Sequence, residues 1–273
     1  MAQPPLERKA NGINWLVRTE MAMKTISLLT YNIHKGFSFA NIKFVLPGIK
    51  KSLENINPDI MCLQEAQGEH LEYQKNIQNW PHEHQHDYIA KPNWPHTIYG
   101  KNASYKQGHH GNAILSKLDI ASWENIDVSN QKFSSRSVLH AVISIPNTTK
   151  TLHVMCIHFG LLKSERNKQL KMLCERIQVH VPDDEPLIIA GDFNDWLKSA
   201  DKELQEILHL KEVFKTENDK YAKSFPVWQP MLSVDRIYYR GLKPVNFSCL
   251  TGSPWSTLSD HAPLYTEFEI EEK

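Results

Sequence analysis

Four short apolar runs of this chain each end at a residue that can bind a metal ion or move a proton. The runs are residues 28–31, 60–63, 154–157 and 187–191, and the polar residues that follow them are Asn32, Gln64 with Glu65, His158 and Asp192. Carboxylate and amide oxygens are ligands for hard divalent cations, and an imidazole exchanges a proton near neutral pH. A structural core alone does not require such residues at these places.

Runs of this length, rich in Ile, Leu, Val and Cys and bounded by polar residues, are typical of buried strands. If the four strands lie side by side in one sheet, their polar ends converge. The sequence therefore predicts a polar site along one rim of that sheet.

Residues 191–195 have the sequence Gly-Asp-Phe-Asn-Asp and directly follow one of these strands. The glycine allows the backbone to approach a ligand, and Asp192 and Asn194 then offer a carboxylate and an amide to the same space. An Asx-rich turn that leaves a strand explains the pattern equally well. Both interpretations stay open at this point.

A second carboxylate and imidazole stand together at Asp260 and His261, just before the last predicted strand. Neighbouring side chains of an extended segment point in opposite directions, so the two residues are expected to serve different partners. Asp235, at the start of another predicted strand, is the best candidate to orient His261. An exposed Asp-His turn is the alternative for this motif in isolation.

Net charge, cysteine spacing and the lack of long apolar stretches limit the classes of protein to which this chain can belong. The chain has 273 residues, with 31 basic and 31 acidic side chains, so its overall charge does not predict electrostatic capture of nucleic acid or of anionic membranes. Its four cysteines lack the paired spacing of zinc or redox motifs and are expected to be reduced core residues. The sequence has neither an 18-residue apolar stretch nor the apolar core of a signal peptide, so we expect no stable membrane insertion and a cytoplasmic location.

The strand-like runs alternate with a few helical stretches from residue 24 onward. Residues 1–23 lack periodicity and are expected to form a loosely ordered extension, and residues 24–273 are expected to form a single domain because no linker or repeat divides them. Strands are predicted at 25–32, 59–65, 111–116, 134–145, 150–158, 186–191, 234–239 and 262–269, and helices near 40–56, 164–180 and 200–209. This mixture predicts two packed sheets flanked by helices.

The helix near 164–180 has the clearest pattern. Ser164 is placed to cap it, and Leu170, Leu173 and Ile177 recur at helical spacing. Arg166 is expected on its polar side.

Seven motifs occur in a fixed order along residues 25–270. They are Asn32 in Tyr-Asn-Ile-His, Glu65 in Leu-Gln-Glu, Asn112 in Gly-Asn-Ala-Ile-Leu-Ser, His158, Asp192 with Asn194, Asp235 in Val-Asp-Arg-Ile, and Asp260-His261 after Ser259. Each motif is weak alone, but the ordered set resembles the endonuclease/exonuclease/phosphatase superfamily, which has the DNase I-like fold. The stretches around Asn112 and His261 resemble an uncharacterised bacterial branch of that superfamily.

The resemblance implies a four-layer α/β sandwich, with two packed, mostly antiparallel sheets flanked by helices and the site at one end. It implies cleavage of phosphoester bonds with Mg²⁺ or Mn²⁺, and Glu65 as the principal metal ligand with Asn32 and Asp260 nearby. His261, paired with Asp235, would share proton transfer and water activation with Asp192. Asn194 and His158 would bind the phosphoryl oxygens.

Four further residues are expected to contact the substrate. Arg136 is positioned like an arginine that the family often places near the phosphate, where it would form a bidentate clamp, although an exposed arginine at a strand end is as plausible. His110 and Asn112 lie in a segment that the family places beside the site. His34, with Lys35, follows the Asn32 motif and is close enough in sequence to reach the phosphate.

Two other patterns are weaker. His82, His84 and His86 alternate with other residues, which on a strand places three imidazoles on one face, but a solvated segment is favoured because the chain has 14 histidines. Residues 224–232 form either an aromatic lip over the site or, as we favour, a proline-stiffened loop that packs back on the sheet.

The predicted function is therefore a metal-dependent phosphoesterase, and specifically a phosphodiesterase of the nuclease type. A phospholipid head-group phosphodiesterase similar to sphingomyelinases, a phosphomonoesterase and a catalytically silent binding module are the alternatives. The expected partner is a phosphoester substrate, with nucleic acid among the options, and the sequence contains no signal for a protein partner.

Overall fold

The computed structural model describes residues 25–129, 135–196 and 200–270. The predicted extension at 1–23 lies outside the described residues. The strands are β1 (Thr25–Asn32), β2 (Ile60–His70), β3 (His96–Tyr105), β4 (Gly108–Ser116), β5 (Ile120–Asp127), β6 (Ser137–Ser144), β7 (Thr151–His158), β8 (Leu187–Asp192), β9 (Lys211–Glu212), β10 (Asp235–Arg240), β11 (Leu242–Cys249) and β12 (Leu264–Ile270). The α-helices are α1 (Leu46–Ile56), α2 (Leu71–Asn76), α3 (Gln85–Ala90), α4 (Lys163–His180), α5 (Ala200–Leu208) and α6 (Val213–Asn218).

The strands form two six-stranded sheets. The first has the order β11-β12-β1-β2-β4-β3, and the second has the order β5-β6-β7-β8-β10-β9. Each sheet contains one parallel pair, β1 with β2 and β7 with β8, and the other neighbouring strands of the described residues are antiparallel. The predicted pair of mostly antiparallel sheets is confirmed.

Three apolar clusters separate the structure into four layers. Neighbouring residues of a central strand point to opposite faces of the sheet. Leu28 belongs to the cluster between the sheets, whereas Leu29 packs against α1 and α3. In the second sheet Ile188 faces the same inner cluster, and Ile189 faces α4 and α5. Because both faces of these strands are covered, their sequences are continuous apolar runs.

All eight predicted strands are present, but three further long strands were missed. These are β3, β5 and β11, and each lies at the edge of a sheet. Edge strands bury fewer side chains, and β5 is exposed along most of its length. Their sequences therefore lack the apolar run that marked the central strands.

The three predicted helices are present with corrected details. Helix α4 begins at Lys163 with Leu162 at its N-cap, so Ser164 lies in the first turn and is not the cap. Arg166 is only 3% exposed, and its guanidinium lies 3.8 Å from the carboxylate of Asp195, so the prediction that it lies on the polar side was wrong. The helix predicted from residue 40 begins only at Leu46, after a short 3-10 turn at Phe39–Asn41.

The four cysteines are free, and Cys62, Cys156 and Cys174 are buried, as expected for core residues. None of the helices in the described ranges combines the length and the apolar composition needed to cross a membrane.

Candidate active site

The polar ends of the four apolar strands meet at one end of the two sheets. In the first sheet Asn32 pairs with Gln64, the residue before Glu65, and in the second sheet His158 pairs with Asp192. The parallel direction of each pair places both carboxyl ends on the same edge. The amide of Asn32 donates a hydrogen bond to Asp192 Oδ2 at 3.2 Å, which joins the two sheets across the site.

His261 lies between two buried carboxylates. Its Nδ1 is 2.8 Å from Asp235 Oδ2, and its Nε2 is 3.8 Å from Asp192 Oδ2. Asp235 is directly opposite Asp192 in the antiparallel pairing of β10 with β8. The structure therefore brings together the three residues to which proton transfer was assigned, and Asp235 is placed to orient His261.

The charges of this group depend on one another. Burial lowers the pKa of His261, but Asp235 and Asp192 outweigh it and raise the pKa to about 10, so the imidazole is cationic at neutral pH. Burial and the nearby Asp235 raise the pKa of Asp192 to about 7, against the opposing effect of His261. Asp192 thus exchanges its proton close to neutral pH.

Asp192 also organises the turn that follows it. Its Oδ1 accepts a hydrogen bond from the backbone N–H of Asn194 at 2.9 Å, the geometry of an Asx turn. Its Oδ2 faces Asn32, His158 and His261. The turn interpretation is confirmed, and it leaves one oxygen of Asp192 directed into the site.

Gly191 packs against the neighbouring strand β7. A Cβ at this position would lie 2.0 Å from the carbonyl oxygen of Ile157 in β7, and the residue has φ of +147°. The glycine therefore permits the close approach of β8 to β7, and the approach of its backbone to a ligand stays a prediction.

His158 and Asn194 line the same end of the second sheet. His158 Nε2 lies 3.6 Å from Asp192 Oδ2, and burial together with Arg136 lowers the pKa of His158 to about 3, so its imidazole is neutral. The amide of Asn194 donates to the carbonyl oxygen of Phe159 at 2.9 Å. The phosphoryl contacts assigned to both residues stay predictions.

Glu65 projects from an irregular part of β2. It has φ of +56°, and the pairing of β2 with β4 shifts between Leu63 and Ala66. Such a bulge re-aims a side chain at a sheet edge. The Glu65 side chain is 19% exposed, and its Oε2 lies 2.9 Å from Lys35 Nζ.

The pKa of Glu65 is held well below its usual value. Burial raises it, but His158, Lys35 and His110 lower it by more. Of these groups Lys35 carries the charge at neutral pH, because burial lowers the pKa of His110 to about 4 and that of His158 to about 3. Glu65 is therefore ionised and ready to bind a cation.

Asp260 and His261 serve different partners, as the sequence predicted. Asp260 Oδ1 lies 3.5 Å from His34 Nδ1, whereas His261 faces Asp235. The hydroxyl of Ser259 donates to the backbone carbonyl oxygen of Asn32 at 2.7 Å, which attaches the segment of Asp260 to the end of β1. Asn32, His34 and Asp260 are thus brought together, and their ligand and substrate roles stay predictions.

Arg136 and His110 lie close enough to His158 to lower the pKa of its imidazole. Asn112 is fully buried, and its amide nitrogen donates to the carbonyl oxygens of Ser137 and Cys156 at 3.2 and 3.4 Å. Asn112 therefore ties the first sheet to the second, and only its Oδ1 lacks a partner among the described residues. Substrate contact by Arg136, His110 and Asn112 stays a prediction.

The model of the endonuclease/exonuclease/phosphatase family matches residues 29–261, which include every strand end of this site. The chain belongs to the endonuclease/exonuclease/phosphatase family. The uncharacterized protein YbhP of Escherichia coli K12 is 41% identical over 246 residues, which cover 90% of this chain and 97% of YbhP.

Two solved structures show the fold of this family. A family protein from Beutenbergia cavernae has a TM-score of 0.76 and 16% identity, and the match covers 90% of this chain and 72% of that one. The mannosyl-6-phosphatase Bt3783 of Bacteroides thetaiotaomicron has a TM-score of 0.68 and 17% identity, over 89% of this chain and 99% of that one. The predicted family resemblance and the DNase I-like sandwich are confirmed.

Enzymes of the endonuclease/exonuclease/phosphatase family generally use a divalent metal ion. The residues of this site fit such an ion. Lys35 places an ammonium group against Glu65, which shows that this carboxylate accommodates a cation. Glu65, Asp260 and Asn32 offer oxygen donors, and one ligand atom from each of Asp192, Asp235 and His261 also lies within 4.8 Å of the others. Only the first set consists entirely of the oxygen ligands that Mg²⁺ prefers.

Sequence reasoning missed Gln85, which supports this family's site from α3. Its side chain is fully buried, accepts from the backbone N–H of Gln67 at 2.9 Å and donates to the carbonyl oxygen of Lys35 at 2.8 Å. Gln85 thereby holds the segments of Lys35 and Glu65 together. The sequence pattern did not predict α3, so it contained no signal for this contact.

The loop at residues 224–232 packs back on the site. Ser224 and Val227 are buried, and the backbone N–H of Val227 donates to the carbonyl oxygen of Asp260 at 2.8 Å. The ring of Phe225 lies 5.0 Å from that of His261. Ser224 and Val227 thus pack as the favoured interpretation predicts, whereas Trp228 in the same loop is 56% exposed, as an aromatic lip would require.

Proposed function

We propose that this protein is a divalent-metal-dependent phosphoesterase that hydrolyses phosphodiester bonds, of the nuclease type, by attack of water on phosphorus. Family membership supports the hydrolysis of phosphoesters in general. The observation that carries the proposal is the group of Asp192, Asp235 and His261, which couples a carboxylate that titrates near pH 7 to a cationic imidazole. Strongly shifted pKa values of neighbouring groups within one site are typical of acid-base catalysis.

Asp192 is the proposed proton acceptor for the attacking water. Its Oδ2 faces the site, and its pKa of about 7 provides both an ionised fraction and a driving force for proton transfer at neutral pH. As the water oxygen bonds to phosphorus, its proton passes to Asp192 and the bond to the leaving oxygen breaks.

His261 is proposed to neutralise charge on the phosphoryl oxygens. Its cationic form is stabilised by Asp235, and its Nε2 points toward Asp192 rather than Asp235. His158 and Asn194 are proposed to donate hydrogen bonds to the same oxygens, with Arg136 as a further cation. Fixed donors aimed at developing charge supply a large part of catalysis in such sites.

Glu65, with Asn32 and Asp260, is proposed to hold Mg²⁺ or Mn²⁺. When bound, the ion polarises the phosphoryl group toward attack. Hard oxygen donors and only two carboxylates suit these ions, which keep several water ligands.

A second candidate, cleavage of phospholipid head groups, is favoured by one observation. The exposed rings of Phe39 and Trp228 lie 6.3 Å apart in an edge-to-face contact, and Trp228 follows the residue that is bonded to Asp260. Exposed aromatic side chains beside a site suit an apolar leaving group. The mannosyl-6-phosphatase neighbour makes a phosphomonoester a third substrate to include in the tests.

The proposal is tested by a panel of substrates with Mg²⁺ and with Mn²⁺. The panel comprises plasmid DNA, abasic DNA, RNA, sphingomyelin, a sugar phosphate, inositol phosphates and bis(p-nitrophenyl) phosphate. Diester hydrolysis that EDTA abolishes and Mg²⁺ or Mn²⁺ restores is the expected result. Full activity in metal-stripped protein contradicts the metal dependence, and activity on monoesters alone contradicts the diester assignment.

His261→Ala is the variant that tests the site. We expect turnover to fall by about 10² to 10⁴-fold because the variant loses an acid-base or phosphate-binding group. His82→Ala, at an exposed histidine outside the site, is the matched control and should keep normal turnover. Near-normal metal-dependent activity of His261→Ala would refute the assignment.

A further inference from the structure

A second group of metal-ligating side chains lies outside the candidate active site. One ligand atom from each of His84, His86 and Asp87 lies within 4.8 Å of the others. His84 is the N-cap residue of α3, and His86 and Asp87 lie in its first turn. None of the three belongs to the set around Glu65 and His261.

The environment of His86 differs from the solvated segment that the sequence favoured. The side chain is nearly buried, with the residue 5% exposed, and its ring stacks on Tyr99 with centroids 4.7 Å apart and planes at 1°. The prediction for this residue was therefore wrong, whereas His82 is exposed. Stacking on Tyr99 holds the imidazole of His86 in one orientation.

The hydrogen bonds of His86 are incomplete among the described residues. Its Nδ1 is buried without a partner, and its Nε2 lies 3.5 Å from Asp87 Oδ1. His86 Nε2 and Asp87 Oδ1 are therefore placed to share one ion, whereas Nδ1 lies on another side of the ring and takes no part in the site.

Side chains of β3 and β4 lie next to His84, His86 and Asp87. The ring of His109 meets that of His84 edge-on, with centroids 5.5 Å apart, and its Nδ1 lies 3.0 Å from the hydroxyl of Tyr99. Thr97 Oγ1 lies 3.5 Å from Asp87 Oδ1. Contacts of this kind orient metal ligands in proteins.

We propose that His84, His86 and Asp87 form a binding site for a divalent transition-metal ion of the zinc class, separate from the catalytic site. Two imidazoles and one carboxylate are a ligand set for Zn²⁺, whereas the oxygen donors around Glu65 suit Mg²⁺. Ligand atoms around a tetrahedral Zn²⁺ are about 3.4 Å apart, given bonds of about 2.0 to 2.1 Å. The separation of 3.5 Å between His86 and Asp87 already matches.

His84 completes the set by rotation of its side chain. It makes no capping hydrogen bond to α3, so a change of rotamer does not break the helix start. His109 or a water molecule is available for the fourth position. Gly68 leaves the space that the His109 ring occupies, since a Cβ there would lie 2.1 Å from the Cε1 of His109.

The test measures Zn²⁺ binding to the full chain after removal of any affinity tag and of bound metal. Titration calorimetry with ZnCl₂ is carried out in excess Mg²⁺, which occupies the catalytic site. We expect this site to bind one Zn²⁺ per chain. The variants His84→Ala and Asp87→Asn should each weaken the affinity of the site for Zn²⁺ by about tenfold or more. When Co²⁺ is bound in place of Zn²⁺, the site should show a visible absorption band, and these variants should lose that band.

Two controls make the outcome specific. His82→Ala removes an exposed histidine of the same segment, and Glu65→Gln alters the catalytic site, so both should leave this Zn²⁺ affinity unchanged. His84 and Asp87 are tested in preference to His86 because its buried, stacked ring contributes to folding. Zn²⁺ binding that survives both ligand variants, or that is lost in Glu65→Gln, would overturn the proposal.

Discussion

Replacement of Asp235 by Asn removes the main charge that keeps His261 cationic. Asp235 Oδ2 lies 2.8 Å from His261 Nδ1, and both residues are buried. The pKa of His261 is raised from 6.5 to about 10, against the lowering effect of burial. Asp235 makes the largest contribution to the rise, and Asp192 and Asp260 make smaller ones. We therefore expect the pKa of His261 to fall in Asp235→Asn, toward its ordinary value, because the variant loses both the charge of Asp235 and its hydrogen bond to His261.

The same change lowers the free energy of unfolding. The whole rise in the pKa of His261 corresponds to about 5 kcal/mol, which is an upper limit because Asp192 and Asp260 contribute to it. Loss of one partner from a buried ion pair costs about 3 to 5 kcal/mol, so we expect Asp235→Asn to lower the free energy of unfolding by about 3 kcal/mol. Because the folded-state pKa lies above the unfolded value, this stability is fully present below about pH 6.5 and is lost as pH rises toward 10. The destabilisation by Asp235→Asn should therefore be largest in mildly acidic solution and shrink at alkaline pH.

NMR titration of the His261 imidazole and urea unfolding between pH 6 and pH 10 measure the two effects. Asp119→Asn is a matched control, because it removes the carboxylate of an Asp-His pair at 3.7 Å in which Asp119 is 67% exposed. We expect that control to change stability by less than about 0.5 kcal/mol. An unchanged titration midpoint for His261 in Asp235→Asn would refute the electrostatic account of the site.

Three further perturbations test other parts of the site. Asp192→Asn should lower kcat by about 10² to 10⁴-fold, and in a pH-rate profile it should remove the rise of activity with pH near pH 7. A rise that is retained in the variant would exclude Asp192 as the base. Lys35→Met removes the ammonium 2.9 Å from Glu65, so half-maximal activity should need several-fold less Mg²⁺, and an increased requirement would contradict competition between the two cations. Gly191→Ala should lower the free energy of unfolding by about 2 to 4 kcal/mol in urea titrations, because its Cβ would collide with Ile157; stability equal to that of the wild-type chain would contradict the close approach of β8 to β7.

The central strands were predictable because both faces of each are buried. Residues such as Leu28 and Leu29, or Ile188 and Ile189, must all be apolar when one layer covers each face of the sheet. The edge strands and the short helices were not predictable in this way. Helix α3, with six residues and several polar side chains, forms through tertiary contacts such as those of Gln85 rather than through a periodic pattern.

The ordered motifs also predicted which residues would meet, since Asn32, His158, Asp192 and His261 converge as expected. The sequence did not predict the bulge that gives Glu65 its positive φ, nor the hydrogen bonds by which Asn112 ties the two sheets together. These depend on the register and separation of strands that are distant in the chain.

The sequence by itself determined the residue types at the strand ends, the layered α/β architecture and the family. The tertiary structure decided the protonation of those residues: His261 is cationic, His158 is neutral and Asp192 titrates near pH 7. The physical reason is that a pKa depends on burial and on the distances to other charges, and both arise only when the two sheets pack together. The same packing buries His86 beside Asp87, a contact that the spacing of the histidines alone did not predict.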